Sequence, residues 1–241
     1  MHPLRRLLRK FRWDLHRISD SEPLSPLNRF LSSIQKLGFA PSHILDVGAN
    51  HGDWTKTAIQ YFPEARYTLV EPQDNLKVHV SDLISTGRVE WINAGASDTD
   101  GILWFTLASR DHSSTFVNHG QSQEARRIQV PVKTLNGIVA SSNYGLPDMV
   151  KIDAEGFDLK VLRGASSLLG RSEIIFVEVG LTAGEIENNA AAVMNFMNDA
   201  GYRLIDITDI NLTPRTKLVW LCEFAFISKQ SHLLDSVISY E

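Results

Sequence analysis

The sequence predicts an α/β fold in which helices cover both faces of a largely parallel, doubly wound sheet. Three features predict this fold. Short apolar runs typical of strands alternate along the chain with segments of helical periodicity. The first of these runs ends in a glycine-containing turn that leads directly into a helix, and acidic residues follow several later runs. With 241 residues, of which 43% are apolar, the chain suits one such domain with a small appendage.

Composition narrows the classes of function. The formal net charge of −4 provides no overall positive field for binding nucleic acid. A single cysteine, Cys222, excludes a disulfide framework, disfavours a cysteine-based metal cage and indicates a reducing compartment. The sequence contains no run of eighteen apolar residues, so it predicts no membrane-spanning helix. We therefore expect a cytoplasmic protein that does not act on nucleic acid.

Residues 1–20 combine basic and apolar side chains in a pattern of their own. The basic positions are Arg5, Arg6, Arg9, Lys10, Arg12 and Arg17, and the apolar stripe is Leu4, Leu7, Leu8, Phe11 and Leu15. This pattern predicts an amphipathic helix and lacks the apolar core and cleavage site of a secretory signal. The helix either caps the domain with its charges in water, or lies on the inner, anionic face of a membrane. A break at 21–26 and a helix near 27–37 complete an N-terminal extension over residues 1–38, and the main domain covers 39–241.

The elements of the main domain follow in a regular order. Strands are predicted at 43–47, 67–71, 89–93, 102–107, 128–132, 148–153, 173–179, 202–206 and 217–227, where apolar or alternating runs occur. Helices are predicted at 54–61, 75–85, 135–140, 158–169 and 190–199; Pro72 delays the second of these and Gly170 ends the fourth. We expect the strands at 102–107 and 128–132 to pair. The polar, aperiodic segment 111–124 between them is predicted to be a surface loop or lid.

The turn after the first strand has features of a nucleotide-binding loop. Gly48 and Gly52 allow a ligand to approach the backbone, and the helix that follows would offer unpaired N–H groups. The spacing differs from the Gly-x-Gly-x-x-Gly of dinucleotide-binding folds. Asp46 would repel a pyrophosphate but suit a cationic amino group, which S-adenosylmethionine carries. A strand that ends in a tight turn without a ligand is the alternative.

Polar and small residues at the ends of the next two strands suit an adenosine. Glu71 closes the second strand, where a carboxylate can accept hydrogen bonds from both ribose hydroxyls. Asn93 and Ala94 follow the third strand, and the small residues there leave room for an adenine ring. Asp98 would then accept a hydrogen bond from the exocyclic amine of adenine. It is equally suited to a turn before Gly101.

Three carboxylates follow the strands at 148–153 and 173–179. Asp153, Glu155 and Glu178 would meet at one crevice, which suggests proton abstraction, a metal site, or hydrogen bonds to a polyhydroxylated substrate. Asp153 and Glu155 could instead act as N-cap and first-turn acids of the next helix. A metal is disfavoured because no histidine accompanies these acids at a ligand spacing, and His112 and His119 are expected in solvent.

Taken together, these segments resemble the FkbM-type methyltransferases, which use S-adenosylmethionine. The matching stretches are Ile44–Gly52, Val70-Glu71-Pro72, Asn93–Asp98, Val150–Asp158, Val161–Ala165 and Ile175–Glu178. The resemblance implies a seven-stranded, Rossmann-like class I methyltransferase fold and O-methylation, frequently of a sugar or polyketide hydroxyl. Gly95 stands where the family more often has alanine, and Asp158 where it usually has glutamate.

We therefore expect an S-adenosylmethionine-dependent O-methyltransferase acting on a small-molecule or glycan hydroxyl. The residues expected to bind the cofactor are Asp46, Gly48, Asn50, Gly52, Glu71, Asn93, Ala94 and Asp98. The residues expected to face the acceptor are Asp153, Glu155 and Glu178, one of which would take the hydroxyl proton. Asp153 is the first choice as this base, because its strand should adjoin the first strand. A nicotinamide-dependent oxidoreductase and a catalytically silent adenosine-binding module remain as alternatives.

Overall fold

The computed structural model describes residues 24–107, 126–181 and 188–237. The basic amphipathic helix predicted within residues 1–20 lies outside these ranges. So does the segment 111–124, with His112 and His119.

Ten strands and seven α-helices are formed by the described residues. The strands are β1 (His43–Val47), β2 (Arg66–Val70), β3 (Val89–Ile92), β4 (Gly95–Ala96), β5 (Gly101–Thr106), β6 (Arg127–Lys133), β7 (Met149–Ile152), β8 (Ile174–Gly180), β9 (Tyr202–Leu212) and β10 (Val219–Ser228). The helices are α1 (Pro26–Lys36), α2 (Asp53–Tyr61), α3 (Ser81–Ser85), α4 (Leu135–Ser141), α5 (Asp158–Arg163), α6 (Ala190–Asp199) and α7 (Leu234–Val237), with a 3-10 helix at Asp74–Val80.

The main sheet has seven strands in the order β3-β2-β1-β7-β8-β10-β9. The five strands from β3 to β8 are parallel neighbours, and β10 runs antiparallel to both β8 and β9. This confirms the predicted doubly wound, mostly parallel sheet. Because β1, β2, β7 and β8 point the same way, their carboxyl ends share one edge, which is where such sheets bind ligands.

A hydrophobic core lies on each face of this sheet. Leu45 and Val150 belong to the core under α4, α5 and α6, whereas their neighbours Ile44 and Met149 belong to the core under α1 and α2. Successive strand residues therefore alternate between two buried faces, which explains why the central strands are continuous apolar runs. Phe30 of α1 packs edge-on against the strand residue Phe176 with 5.4 Å between ring centroids. Residues 26–36, placed by the sequence analysis in the N-terminal extension, thus belong to the packed domain.

The second sheet is small, with the order β4-β6-β5. Strands β5 and β6 pair antiparallel, as predicted for the segments 102–107 and 128–132. Strand β4 follows β3 directly and pairs in parallel with β6. The small sheet therefore begins at the ligand-binding edge of the main sheet.

Three predicted boundaries are wrong. The helix predicted at 158–169 ends at Arg163, with Gly164 as its C-cap residue. A side chain there would collide with the carbonyl oxygen of Ser97, so tertiary contact sets this end. The helix predicted at 75–85 divides into the 3-10 helix and α3, and the strand predicted at 202–206 continues to Leu212 because β10 pairs with its full length. Within the described ranges, no helix is long and apolar enough to cross a membrane.

Candidate active site

The turn between β1 and α2 lies against the chain that leaves β7. Gly48 adopts a φ of +75°, and a Cβ atom at this position would collide with the carbonyl oxygen of Asp153. Gly52 also has a φ of +75°, and a Cβ atom there would collide with the side chain of Val80. Both positions therefore need glycine for backbone conformation and for space. This contact holds the ends of β1 and β7 together at the ligand-binding edge.

The backbone N–H groups of this turn are already hydrogen-bonded. Each N–H from residue 48 to residue 52 donates within the chain. The acceptors are Val70 O for the first two, then Glu71 Oε2, Asn50 Oδ1 and Ala49 O. A phosphate-binding loop needs such N–H groups directed at its ligand. The hydrogen bonds at residues 48–52 therefore fix the shape of the turn, and the unpaired N–H groups that the sequence predicts would belong to the first turn of α2.

Glu71 directly follows β2 and braces the turn. Its Oε2 accepts from the N–H of Asn50 at 3.0 Å, and its Oε1 accepts from the N–H of Gln73 at 3.0 Å and from the Gln73 amide at 3.3 Å. The side chain is buried, and burial raises the pKa of Glu71 while these N–H donors oppose the rise. A carboxylate offers about four acceptor positions, so capacity for a further hydroxyl donor remains.

The residues after β3 divide into two groups. Asn93 adjoins Glu71, because its side-chain amide donates to the backbone oxygens of Glu71 and Pro72 at 3.2 and 3.0 Å. Ala94 is fully buried. Asp98 is exposed on a turn whose backbone packs against Gly164, and it accepts from the Ser97 hydroxyl at 3.2 Å. The structure therefore brings Asn93 and Ala94 to the turn region, and places Asp98 farther along the chain beside the end of α5.

Asp46 lies beneath the turn, with none of its surface exposed. Its Oδ2 accepts a 2.6 Å hydrogen bond from Thr55 of α2, and its Oδ1 is 3.6 Å from the ammonium of Lys151 on β7. Burial raises the pKa of Asp46, and the nearby Lys151 opposes that rise. Lys151 also donates to the carbonyl oxygen of Gly48 and to Asp153 Oδ2, both at 3.1 Å. The Lys151 ammonium thus lies between Asp46 on β1, the glycine turn and Asp153 after β7.

Asp153 and Glu155 precede helix α5 without capping it. The helix begins at Asp158 and its N-cap residue is Phe157, so the N-cap interpretation of the two acids is wrong. Glu155 adopts a left-handed φ of +51°, a conformation that costs a non-glycine residue on the order of 1–2 kcal/mol. Burial raises the pKa of Glu155 to about 8, and the negative charges of Asp153 and Asp158 contribute to the rise.

Asp158 holds the loop that carries Glu155. Its two carboxylate oxygens accept from the N–H groups of Ala154 at 2.8 Å and Gly156 at 3.1 Å. Asn188 donates to Asp158 Oδ2 at 2.7 Å and accepts from the N–H of the next residue in α5 at 3.1 Å. Burial raises the pKa of Asp158 to about 7, and the negative charge of Asp153 adds to the rise. The Asp158 carboxylate therefore accepts hydrogen bonds from two backbone N–H groups and fixes the loop that carries Glu155.

Glu178 lies on β8, near the same edge of the sheet. Glu223 of β10 is its partner in the strand register. Glu223 accepts a 2.6 Å hydrogen bond from the hydroxyl of Thr208 on β9. Burial raises the pKa of Glu223 to about 7. Burial also raises the pKa of Glu178, and the charge of Asp153 adds to this effect. The edge formed by β7, β8 and β10 therefore gathers carboxylates that are shielded from water.

Comparison with protein-family models identifies the family of this chain. A family model described as the methyltransferase FkbM domain matches residues 46–204, well over half of the chain. The chain belongs to this family. No curated protein matches it.

Solved structures agree with this family in fold. A candidate rRNA methylase from Clostridium thermocellum is 13% identical, with a TM-score of 0.50 over 86% of this chain and 98% of that chain. The N-methyltransferase NodS from Bradyrhizobium japonicum is 10% identical, with a TM-score of 0.49 over 83% of this chain and 93% of that chain. The chain thus shares its fold with the candidate rRNA methylase.

Sequence reasoning missed three residues of this candidate site, namely Lys151, Asn188 and Glu223. Lys151 and Glu223 each interrupt an otherwise apolar strand, and a charged residue inside a buried strand is a detectable signal. Asn188 precedes α6 by two residues and has no comparable local signal. In the part of the chain that the structure describes, no three His, Cys, Asp or Glu side chains group in a way that could hold a metal ion.

Proposed function

We propose that this FkbM methyltransferase transfers the methyl group of S-adenosylmethionine to a hydroxyl oxygen of a small molecule, of sugar or glycan type. One observation carries the proposal: buried carboxylates surround a glycine turn whose own N–H groups are already bonded. Such a site attracts positive charge, and the turn at residues 48–52 directs no N–H group at a phosphate. The cofactor has a sulfonium and an amino group but no phosphate.

The residues present fit this cofactor. Two buried carboxylate oxygens have no hydrogen-bond partner among the described residues. Asp46 Oδ1 already faces the Lys151 ammonium at 3.6 Å, whereas Asp153 Oδ1 is the acceptor that favours a further donor or cation. Glu71 would accept the ribose hydroxyls, and the turn from Gly48 through Asn50 to Gly52 would form the wall against the cofactor. Asn93 and Ala94 would adjoin the adenine, with Asp98 as a more distant contact. The bound cofactor supplies an electrophilic methyl group on a positively charged sulfur.

An oxygen acceptor fits the residues after β7 better than a planar amine. The segment Asp153-Ala154-Glu155-Gly156 contains carboxylates and no aromatic side chain that could stack on a ring. Carboxylates accept hydrogen bonds from hydroxyl groups, and a sugar presents several hydroxyls at once. An alcohol must also lose its proton as the methyl group transfers, for which a positioned carboxylate typically contributes about 10²–10⁴-fold.

The two alternative functions find less support. A nicotinamide dinucleotide would place its pyrophosphate against the turn, where the N–H groups of residues 48–52 are already used. A silent adenosine-binding module has no need of Glu155 and Glu178. Burial opposes the ionisation of both side chains, so keeping them in the fold costs stability at neutral pH.

Calorimetry with S-adenosylhomocysteine, S-adenosylmethionine, NAD and NADP tests the cofactor. We expect binding of the first two and none of the dinucleotides. A panel of sugars, glycans, phenols and amines with methyl-labelled cofactor then tests the acceptor, and we expect label on a sugar or glycan hydroxyl. Binding of NAD in place of S-adenosylmethionine would overturn the cofactor assignment, and transfer only to amines would overturn the oxygen acceptor.

A further inference from the structure

Asn188 connects two segments at the ligand-binding edge of the main sheet. Its side chain is buried, and the residue precedes α6 by two positions. The Nδ2 group donates to Asp158 Oδ2 at 2.7 Å and to the carbonyl oxygen of Glu178 at 3.4 Å. The Oδ1 atom accepts from the N–H of Leu159 at 3.1 Å. A side-chain amide has two donor hydrogens on its nitrogen, so these contacts use both of them and also occupy the acceptor.

The hydrogen bond from Asn188 to Asp158 continues into the loop after β7, residues 153–157. Asp158 is fully buried, and its oxygens accept from the N–H groups of Ala154 at 2.8 Å and Gly156 at 3.1 Å. Glu155 lies between these two residues with a left-handed φ of +51°. A non-glycine residue keeps such a conformation where the surrounding structure holds it. Asn188 therefore supports, through Asp158, the loop that carries Glu155.

The chain around Asn188 is also tied to β8. Gly180, the last residue of β8, forms a parallel β-bridge with Asn189. This bridge and the hydrogen bond to the Glu178 carbonyl hold Asn188 alongside β8. The position of Asn188 is thus fixed relative to β8 on one side and to the loop after β7 on the other.

The residues proposed to bind the cofactor have contacts of their own. Glu71 accepts from the N–H of Asn50, and Asp46 accepts from the hydroxyl of Thr55. In the described structure, the hydrogen bonds of Asn188 reach the start of α5 and the backbone of β8. A substitution at position 188 should therefore disturb the acceptor side of the site and leave the cofactor side in place.

We infer that Asn188 is a positioning residue for the acceptor, which ties the loop after β7 to β8 and so sets the spacing of the acids proposed to contact the acceptor. This inference rests on the proposed function. Asn188 acts through Asp158 and the β8 backbone, which hold these acids in place. A displacement of about 1 Å in a reacting group can lower the rate on the order of 10²-fold. A loop released from β8 should therefore bind and methylate the acceptor less well.

The first measurement follows the loop after β7 in the protein without cofactor or acceptor. Amide hydrogen exchange, read by NMR, reports on the N–H groups of Ala154 and Gly156, which Asp158 holds. Asn188→Ala removes a buried partner of Asp158, so we expect both amides to exchange about tenfold faster. Asn188→Ser is the second variant if Asn188→Ala fails to fold, because its shorter side chain also loses the contact with Asp158.

Asn136→Ala is the matched control. Asn136 lies on α4, and its side-chain amide also joins two segments, because it donates to the Ser166 hydroxyl at 2.9 Å and accepts from the N–H of Ser167 at 2.8 Å. These contacts lie beyond the end of α5, away from the loop after β7. We expect Asn136→Ala to leave the exchange of the two loop amides unchanged.

The second measurement uses the hydroxyl acceptor found with the methyl-labelled cofactor. Turnover is normalised to the sites titrated with S-adenosylhomocysteine, so unfolded protein does not enter the rate. We expect Asn188→Ala to lower kcat/KM for the acceptor by at least about tenfold and to leave the Kd for S-adenosylhomocysteine within a few-fold. In Asn136→Ala, both quantities should stay within a few-fold. An asparagine that only stabilises the fold would change neither quantity per titrated site.

Two results in the variants would overturn the inference. Unchanged exchange of the Ala154 and Gly156 amides in Asn188→Ala would show that Asn188 does not hold the loop. Faster exchange with unchanged kcat/KM, or with an equal loss of affinity for S-adenosylhomocysteine, would show that this tie does not position the acceptor. The proposed function fails in a different place, because it fails if the wild-type protein binds no S-adenosylhomocysteine. If the wild type methylates an amine, the oxygen acceptor is wrong, and the same kinetic comparison with that amine decides the role of Asn188.

Discussion

Glu178 and Glu223 lie directly opposite each other on the antiparallel strands β8 and β10. Opposite positions in such a pair have Cβ atoms about 4.5–5.5 Å apart, and like charges there destabilise the sheet. Neither glutamate forms an ion pair with a cation of the described residues. Burial raises the pKa of both side chains, that of Glu223 to about 7. An arrangement that is unfavourable for folding is expected where it serves a site, and Glu178 is one of the residues proposed to face the acceptor.

The first prediction concerns stability. The pKa of Glu223 rises from 4.5 to about 7 on folding, so the folded state binds the proton more tightly. Ionisation of the buried Glu223 therefore destabilises the fold. This effect is absent below the unfolded-state pKa of 4.5 and complete above the folded-state pKa of about 7. Glu223→Gln should therefore raise the free energy of unfolding at pH 8 by on the order of 2–3 kcal/mol, and by much less at pH 5. Glutamine can still accept from Thr208, and urea unfolding at both pH values measures the gain.

Glu64→Gln is the control for this experiment, because the Glu64 side chain is 86% exposed and contacts only Arg88 among the ion pairs described. It should show no comparable dependence on pH. If Glu223→Gln stabilises the protein equally at pH 5 and pH 8, Glu223 does not carry the buried charge.

The second prediction concerns the glycine turn. Gly48 and Gly87 have nearly the same φ, +75° and +73°, but a Cβ atom meets the Asp153 carbonyl at the first and nothing within 4 Å at the second. Gly87→Ala should cost about 1–2 kcal/mol, from backbone strain alone. Gly48→Ala should cost clearly more and abolish binding of S-adenosylhomocysteine, because it separates β1 from β7. Thermal unfolding and calorimetry measure the two effects, and equal losses of stability would contradict the predicted collision.

The third prediction concerns Glu71. Glu71→Ala removes the proposed partner of the ribose hydroxyls and should weaken binding of S-adenosylhomocysteine by about 1.5–3 kcal/mol. The same substitution frees the N–H groups of Asn50 and Gln73, so the unliganded variant should also melt at a lower temperature. Calorimetry below the melting range separates the two effects. Unchanged affinity in the folded variant would remove Glu71 from the cofactor site.

The fourth prediction concerns the base. Because the pKa of Glu155 is raised to about 8, the ionised fraction grows as the pH rises through this region, and turnover should grow with it. A cationic cofactor nearby would move this limb to lower pH. Glu155→Gln should lower kcat by about 10²–10⁴-fold and leave affinity for S-adenosylhomocysteine within a few-fold. If Glu155→Gln keeps turnover and Asp153→Asn loses it, Asp153 is the base, as the sequence first suggested.

The fifth prediction concerns residues 1–20, whose basic and apolar pattern suits the surface of a membrane. The intact protein should sediment with vesicles that contain anionic lipid and be released at high salt, because screening weakens the attraction. A variant that lacks residues 1–20 should stay in the supernatant. Equal sedimentation of both forms, or binding to neutral vesicles, would exclude an electrostatic membrane anchor in this segment.

The largely parallel, doubly wound sheet and the edge at which its acids lie could be inferred from the sequence. Apolar runs and helical periodicity are local, so they marked β1, β2, β7 and β8 within one or two residues. Parallel strands place their carboxyl ends at one edge, and the positions of Glu71, Asp153 and Glu178 in the chain therefore predicted their shared edge. Family motifs between residues 44 and 178 reinforced this inference, and the family model matches residues 46–204.

Only the tertiary structure decided how the charges are partnered. Asp46 and Lys151 are neighbours in the β1–β7 register although they are 105 positions apart in the chain, and Glu223 comes from β10, beyond the matched family region. Local periodicity carries no information on such pairings. The environment of Glu155 is decided in the same way, because burial and the surrounding charges set its affinity for a proton. The sequence by itself thus determined which acids lie at this edge, and packing determined that Lys151 pairs with Asp46 and Asp153.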